Sequence, residues 1–207
     1  MLGRLMTILA SVSCLGCGVE GDVICTTCLS EVAIASWPKE AYPYLAGVSV
    51  GAAYDGVVKE LVLQLKFHRL RHGAAVAADL LLRGSEPASW CRAGLVTQVT
   101  SVPVAASRYR ERGYNQSELV AKLVAVRLGL PYYPMLGRAT SVHQMGLDRQ
   151  MRLAQIGGAF YPLRLVRGAR VLVVDDVLTT GATLSECAST LLSAGAEQVW
   201  GAVVARH

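Results

Sequence analysis

The segment VLVVDDVLTTGAT, residues 171–183, joins four apolar residues to two adjacent acids and then to a turn rich in hydroxyl groups. The apolar run predicts a buried strand over Val171–Val174, and the amphipathic stretch from Thr183 predicts a helix. We expect Asp175 and Asp176 at the carboxyl end of that strand, where parallel α/β sheets bind their ligands. The segment therefore favours an α/β fold with a ligand site at this edge.

The turn after the acids has the features of a phosphate site. Gly181 lets the backbone approach a ligand closely. The N–H groups in the first turn of a helix lack internal partners, and the helix dipole is positive there. Two carboxylates would repel a phosphate but suit sugar hydroxyls or magnesium, so a sugar phosphate meets both demands. An ordinary strand, turn and helix with an acidic start is the alternative interpretation.

Strands and helices alternate along the rest of the chain, which predicts a parallel sheet with right-handed crossovers and helices on its faces. A polar, basic stretch without clear periodicity, residues 137–158, is interpreted as a long mobile loop. The predicted strands are 47–54, 95–104, 131–136, 170–174 and 198–205. The predicted helices are 55–67, 74–83, 115–130 and 183–195.

Four of the six cysteines are packed into CLGCGVEGDVICTTC, residues 14–28, as two CxxC pairs. Two CxxC turns can close a tetrahedral four-thiolate shell around zinc, which leaves no open position and makes the metal structural. Disulfides and a redox CxxC are the alternatives; a cytosolic setting disfavours the first and the lack of a nearby βαβ pattern the second. The candidate ligands are Cys14, Cys17, Cys25 and Cys28.

Composition suits a well-buried α/β protein and argues against a disordered chain, because 53% of the 207 residues are apolar. The formal net charge of +5 suits anionic partners such as phosphates or nucleic acid. The apolar N-terminal run is too short to span a bilayer and has no A-x-A cleavage site, so we expect a cytoplasmic protein without a membrane span. We expect a zinc-binding segment and linker over residues 1–45 and the α/β domain over 46–207.

On these residues the chain resembles the type I phosphoribosyltransferases, whose signature for phosphoribosyl pyrophosphate is similar to VLVVDDVLTTGAT. The resemblance extends over nearly the whole chain to the ComF family (ComFC/GntX-like proteins). It implies the phosphoribosyltransferase-like fold with a small N-terminal zinc knuckle, and a part in DNA uptake during natural transformation beside a helicase. The other matching pieces are LKF at 65–67, SVPV at 101–104, RYRERGYNQSELVA at 108–121, QMGLDRQMR at 144–152 and GAF at 158–160.

The resemblance also implies roles for individual residues. Asp175 and Asp176 would contact the ribose hydroxyls and are the candidate catalytic residues, with magnesium accompanying the phosphoribosyl pyrophosphate. A loop after Pro103 would bind the pyrophosphate, and the long loop after residue 137 would be a mobile flap that closes over the substrate. Gln155 stands where the family has asparagine, and the linker lacks the second cysteine pair of longer members. The implied substrate-binding residues are Pro103, Arg108, Arg112, Asn115, Gln116, Arg149, Arg152, Val177, Leu178, Thr179, Thr180, Gly181, Ala182 and Thr183.

Two functions stay open on the sequence. The first is an enzyme that transfers phosphoribose from phosphoribosyl pyrophosphate to an unknown acceptor, the acids and magnesium stabilising the charges that develop. The second is a non-catalytic module for single-stranded DNA or a partner, because Tyr109 and Tyr114 alternate with arginines in RYRERGY. Since the last predicted strand ends near His207, we expect acceptor recognition to come from the N-terminal segment or a partner.

Overall fold

The computed structural model describes residues 12–33, 41–139 and 158–207. Its centre is a four-stranded parallel sheet in the order β1-β6-β5-β2, and a two-stranded antiparallel ribbon of β3 and β4 lies apart from it. The strands are β1 Gly47–Ala53, β2 Gln98–Ser101, β3 Leu136–Arg138, β4 Phe160–Pro162, β5 Arg170–Leu178 and β6 Gln198–Arg206. The parallel sheet confirms the predicted α/β class.

In the described residues, helices precede β1, β2, β3 and β6 in sequence. The bounds are α1 Thr26–Ser30, α2 Gly56–Phe67, α3 Gly73–Arg83, α4 Glu86–Arg92, α5 Ala106–Arg112, α6 Gln116–Leu128 and α7 Ala182–Ser193. Three of them, α1, α4 and α5, were not predicted. Pro87 lies in the first turn of α4, where its missing N–H costs nothing. The basic residues 108–112 belong to α5, which ends where Gly113 adopts a φ of 78°.

Strand β5 is longer than predicted, and this corrects the expected position of the acids. It continues through both aspartates to Leu178, because β6 supplies backbone partners along its whole length. Asp175 lies opposite Val203, and Leu178 lies opposite Arg206. The two carboxylates therefore belong to the second half of a paired strand rather than to the turn beyond it.

The core has one hydrophobic cluster on each side of the sheet. One cluster joins α2, α3 and α6 to Leu172 and Val174 of β5, and the other packs α7 against Val171 and Val173. This alternation along β5 is the period-two pattern of a strand that is buried on both faces. The first cluster also includes Val23 and Ile24, so the cysteine-rich segment packs into the same core as the sheet.

Helix α2 crosses the carboxyl edge of the sheet. It begins beside the end of β1, where Asp55 caps it by accepting a hydrogen bond from the N–H of Gly56. Its last turn reaches β5, two strands away, because Lys66 contacts Asp176. One helix thus connects the region of β1 with the acids.

The segment predicted as a strand at 131–136 is mostly an irregular connection. Tyr132 makes a single parallel bridge to Val99, and β3 starts only at Leu136. Strands β3 and β4 flank residues 140–157, so the predicted mobile loop lies largely outside the described residues. Within the described chain, the helices are too short or too polar to cross a bilayer.

Candidate functional site

The two acids of β5 have different surroundings. Asp176 is buried, with 5% of its surface exposed, and both of its carboxylate oxygens have partners. Lys66 Nζ lies 2.9 Å from Oδ1, and Gln116 Nε2 donates a hydrogen bond of 2.7 Å to Oδ2. Arg112 Nη1 donates in turn to Gln116 Oε1 at 2.8 Å, which extends the chain of polar contacts to a second cation.

Asp175 is half-buried, and its Oδ2 has no hydrogen-bond partner among the described residues. Its Oδ1 accepts hydrogen bonds from Ser117 Oγ at 2.8 Å and from the backbone N–H of Asp176 at 2.9 Å. Burial, and then the adjacent charge of Asp176, raise the pKa of Asp175 to about 7, against the weaker opposing effects of Ser117 and Lys66. Asp175 is therefore the acid that can offer an oxygen to a ligand near neutral pH.

The turn after β5 has the geometry of an anion site. Gly181 has a φ of 77° and precedes α7, and no side chain caps this helix. The N–H groups of its first turn are thus left for a ligand, since the one recorded contact is a long one of 3.4 Å from Ala182 N–H to Thr180 Oγ1. Thr179, Thr180, Ala182 and Thr183 are exposed around this turn.

Two of the implied substrate-binding residues precede the turn. Val177 and Leu178 are the final residues of β5 and pair with β6 through their backbone. The side chain of Leu178 is buried in the core. The part of the segment that is open to a ligand therefore begins at Thr179.

An aromatic ring from the N-terminal side covers the turn. A Cβ placed on Gly181 would lie 2.3 Å from Cδ1 of Tyr42 and 2.4 Å from its Cε1. Glycine is thus required at this position for two reasons, the left-handed φ and the ring packed against it. Nothing in the local sequence pattern pointed to Tyr42.

The amide residues at the start of α6 are engaged within the protein. Asn115 is buried, accepts a hydrogen bond from the N–H of Ser117 as N-cap, and donates from Nδ2 to the carbonyl of Val102 at 2.9 Å. Asn115 therefore fixes the chain next to Pro103, where β2 ends. Since the N–H of Val102 donates to the carbonyl of Val174, this connection lies directly beside the acids.

The predicted arginines fall into three groups. Arg112 is buried in the network with Gln116, whereas Arg108 is exposed on α5. Arg149 and Arg152 lie outside the described residues. The structure thus brings Asp175, Asp176, Arg112, Asn115 and Gln116 together at one edge of the sheet.

Lys66 and Ser117 are polar partners of the acids that sequence reasoning did not assign. Ser117 was noted only within RYRERGYNQSELVA, and Lys66 only within LKF. Helix α2 precedes β5 by more than 100 residues in the chain, so no spacing rule could place Lys66 beside Asp176. The family motif was the one signal that singled Lys66 out.

The four N-terminal cysteines form one cluster. Their Sγ atoms all lie within 4.8 Å of one another, and the Sγ atoms of Cys17 and Cys25 are 3.6 Å apart. Four sulfurs about 2.3 Å from a central zinc would lie about 3.8 Å apart, so the cluster has the size of a tetrahedral zinc site. All six cysteines are free thiols. The cluster can therefore hold a metal such as zinc.

Backbone N–H groups prepare this cluster for thiolates. The N–H groups of Cys25 and Gly16 point at Cys14 Sγ from 3.3 and 3.4 Å. Backbone hydrogen bonds, that from Cys25 first, lower the pKa of Cys14 to about 6. Contact with the Cys25 side chain, followed by burial, raises the pKa of Cys28 to about 12. A bound cation would bring all four sulfurs to the thiolate form.

Comparisons with known proteins agree with this geometry. Residues 98–207 match the family model described as a phosphoribosyl transferase domain. The DNA utilization protein YhgH of Salmonella typhi is 37% identical over 164 residues, which cover 76% of this chain and 71% of that protein. Competence protein F of Haemophilus influenzae is 33% identical over 115 residues, or 50% of this chain and 48% of that protein.

Two further comparisons are more distant. Competence protein ComFC of Streptococcus pneumoniae is 28% identical over 102 residues, 49% of this chain and 44% of that protein. A solved structure of the allosteric regulatory enzyme of purine biosynthesis is 23% identical, covers 52% of this chain and 22% of its own, and has a TM-score of 0.36, which is too low to support an argument. On the family model and the relatives, the chain belongs to the ComF family and carries a phosphoribosyltransferase domain.

Proposed function

We propose that this protein binds phosphoribosyl pyrophosphate and transfers its phosphoribosyl group to an acceptor. One observation carries the proposal: the Asp175 carboxylate, whose Oδ2 has no hydrogen-bond partner among the described residues, lies six residues before an uncapped helix N-terminus at Gly181. The first group suits ribose hydroxyls and the second suits the 5′-phosphate. Few ligands other than a sugar phosphate need both groups at this spacing.

The main contribution of the protein to this reaction would be to stabilise the charges that develop. Positive charge develops on the ribose ring as pyrophosphate departs, and the Asp175 carboxylate would stabilise it. With a pKa of about 7, this carboxyl becomes increasingly ionised as the pH rises through neutrality. No nucleophile of the protein is required, because the acceptor attacks the sugar carbon directly.

Magnesium would arrive with the ligand. Within the described residues, the cysteine cluster is the one group of three or more His, Cys, Asp or Glu side chains able to hold a metal ion by itself. The pyrophosphate oxygens would therefore supply most of the magnesium ligands, as is usual for phosphate substrates. When bound, magnesium would neutralise charge on the leaving group.

The names of the relatives support a proposal for the biological setting. Proteins named for DNA utilization and for competence cover half or more of this chain. We propose that the phosphoribosyl site serves DNA uptake or use in the cytoplasm, beside a helicase partner.

Calorimetric titration with phosphoribosyl pyrophosphate and magnesium tests the donor site. We expect binding by the natural protein and at least a tenfold loss in Asp175→Ala, because the one free carboxylate oxygen is removed. Asp79→Ala is the matched control, since Asp79 is an exposed acid paired with Arg127 on the helical layer. Absence of binding by the natural protein, or equal affinities in all three proteins, would reject the donor site.

Pyrophosphate release tests turnover separately. With a panel of nitrogenous bases as acceptors, release that depends on one base and disappears in Asp175→Ala would establish a transferase. Tight donor binding with no release in the presence of any base would favour a binding module.

A single-stranded DNA site is the second candidate, favoured by an exposed basic and aromatic surface. Phe67 and Tyr109 are about half exposed, and Arg108 and Arg110 lie beside Tyr109 on α5. Tyr114, which was expected to stack on bases, is buried under Arg71 and its hydroxyl donates to the carbonyl of Leu65. Only Tyr109 of the two tyrosines is thus open to a base.

Salt dependence separates this candidate from the first. If DNA binds here, affinity for a labelled oligonucleotide should fall steeply with salt, and Arg108→Ala with Arg110→Ala should flatten the slope. A slope unchanged by these substitutions would place any DNA contact elsewhere.

A further inference from the structure

Lys66 is a half-buried cation whose bonding capacity is largely unused. Its side chain is 22% exposed, and Asp176 is the one ion-pair partner that the described residues give it. An ammonium group has three N–H donors, so two remain for a ligand. The position is at the carboxyl edge of the sheet, at the end of the helix that crosses this edge.

Asp176 is poorly placed to bind a sugar. Its two carboxylate oxygens are already held by Lys66 and Gln116, and only 5% of the residue is exposed. Asp175, by contrast, has a free oxygen on a half-buried side chain. The two neighbouring acids therefore differ in how available their oxygens are to a ligand, although the sequence does not distinguish them.

The local charge balance favours an anion. Lys66 and Arg112 both belong to the network around Asp176, so two cations face one carboxylate. Arg112 is only 8% exposed, and its buried Nε has no hydrogen-bond partner. Its guanidinium lies 5.3 Å from the centre of the Phe67 ring. The hydrogen-bonded network thus contains two cations and one carboxylate, and the neighbouring carboxyl of Asp175, with a pKa of about 7, is only partly ionised near neutral pH.

We propose that Lys66 binds the pyrophosphate of the ligand and that Asp176 is a positioning residue, which holds Lys66 rather than the ribose. The inference rests on the proposed function, because it concerns the leaving-group end of the same ligand. It divides the acid pair between the two ends of the ligand: Asp175 for the sugar and Asp176, through Lys66, for the pyrophosphate.

Two probes that represent the two ends of the ligand test this division. Inorganic pyrophosphate with magnesium represents the leaving group, and ribose 5-phosphate represents the sugar and its phosphate. We expect Lys66→Met to weaken pyrophosphate binding by about 10-fold to 100-fold, the range for a lost hydrogen bond between charged groups. Ribose 5-phosphate affinity should stay within about threefold, and Lys66→Arg should recover most of the pyrophosphate affinity.

Lys122→Met is the matched control, because Lys122 forms a surface ion pair with Glu118 on α6 and faces no part of the network. Asp176→Asn decides the role of the acid without removing Lys66. If Asp176 positions Lys66, this variant loses pyrophosphate affinity and keeps ribose 5-phosphate affinity; if it binds the ribose, the loss is reversed. The reversed result, or an unchanged pyrophosphate affinity in Lys66→Met, overturns the inference.

The failure of the proposed function would look different. A natural protein that binds neither phosphoribosyl pyrophosphate nor either probe rejects the donor site and this inference together. A natural protein that binds all three ligands, with pyrophosphate affinity equal in Lys66→Met and Lys122→Met, rejects only the role of Lys66. Thermal unfolding of each variant identifies a loss that comes from misfolding, and Lys66→Arg, which keeps the charge, then decides the outcome.

Discussion

A pair of like charges inside a strand is stable only where each charge meets a different environment. Asp176 meets a lysine and an amide, so its charge is compensated within the protein. Asp175 receives two neutral hydrogen-bond donors and a neighbouring negative charge. The charge of Asp176 is therefore compensated by residues of the protein. The charge of Asp175 is not, so a ligand that binds its carboxylate would stabilise the ionised form.

This difference predicts how stability depends on pH. The pKa of Asp175 rises in the folded state from its ordinary value of 3.8 to about 7. The folded protein therefore holds the proton more tightly than the unfolded chain, and stability falls as the pH rises from about 4 to 7. We expect Asp175→Asn to be more stable than the natural protein at pH 8, with the advantage shrinking towards pH 4.

Urea unfolding at pH 4.5, 6 and 8 measures this trend. Asp79→Asn provides the comparison, because Asp79 pairs with Arg127 at a more exposed position and should show no gain at high pH. A stability difference between Asp175→Asn and the natural protein that stays constant over the three pH values would contradict the assigned burial of the charge.

The sequence identified the acids but not the difference between them. The apolar run that ends in two acids predicted a strand with charges at its end, and the glycine predicted the turn. The partners that distinguish the acids come from α2 and from the start of α6, both distant in the chain. Local patterns contain no information on such contacts, so Lys66 and Tyr42 could not be placed.

Among the elements, strand length was the property least visible in the sequence. Val171–Val174 predicted only the apolar part of β5, whereas pairing with β6 extends it to Leu178. Helix α5 was hidden for a related reason, because a run of arginines has no apolar stripe to reveal its period. Helices α2, α3, α6 and α7 were predicted within a few residues, since each buries a clear apolar face.

Contact between α3 and β1 depends on a glycine. A Cβ on Gly51 would lie 2.5 Å from the carbonyl oxygen of Leu80 and 2.8 Å from that of Val204. Since neither backbone can move independently, we expect Gly51→Ala to destabilise the protein by about 2–3 kcal/mol, at the upper end for an overpacked core.

Gly129→Ala is the comparison for this prediction. Gly129 ends α6 with a φ of 66° and has open space around it, so alanine there meets only the left-handed strain of about 1 kcal/mol. The free energy of unfolding in urea should therefore fall further for Gly51→Ala. Equal losses for the two variants would show that α3 can shift away from the sheet.

At the scale of the molecule, the cysteine-rich segment is integrated with the sheet domain. Val23 and Ile24 are buried in the cluster that contains α2 and α3. A Cβ on Gly16 would contact Cys28, which lies in α1, and Val57, which lies in α2. The sequence predicted the metal site from its spacing, but this packing depends on the path of α2 and could not be predicted.

Loss of the metal should therefore lower the stability of the whole protein. We expect the natural protein to carry zinc and Cys14→Ser to carry little, as measured by elemental analysis. The melting temperature of Cys14→Ser should fall by several degrees, given about 2–4 °C per kcal/mol for a chain of this size. Cys91→Ser is the control, since Cys91 lies outside the cluster. A zinc-free variant with the same melting temperature as the natural protein would show that metal binding by this segment contributes no stability.

The strand order affects how the chain folds while it is being synthesised on the ribosome. Among the described residues, β1 has β6 as its one neighbour in the sheet, with Gly47 opposite Trp200, so some 150 residues separate the paired segments. Until residues 198–206 have been synthesised, β1 lacks this partner and the apolar faces of α2 and α3 are not fully covered. Such distant pairing slows folding and lengthens the time during which apolar surface of the growing chain is exposed.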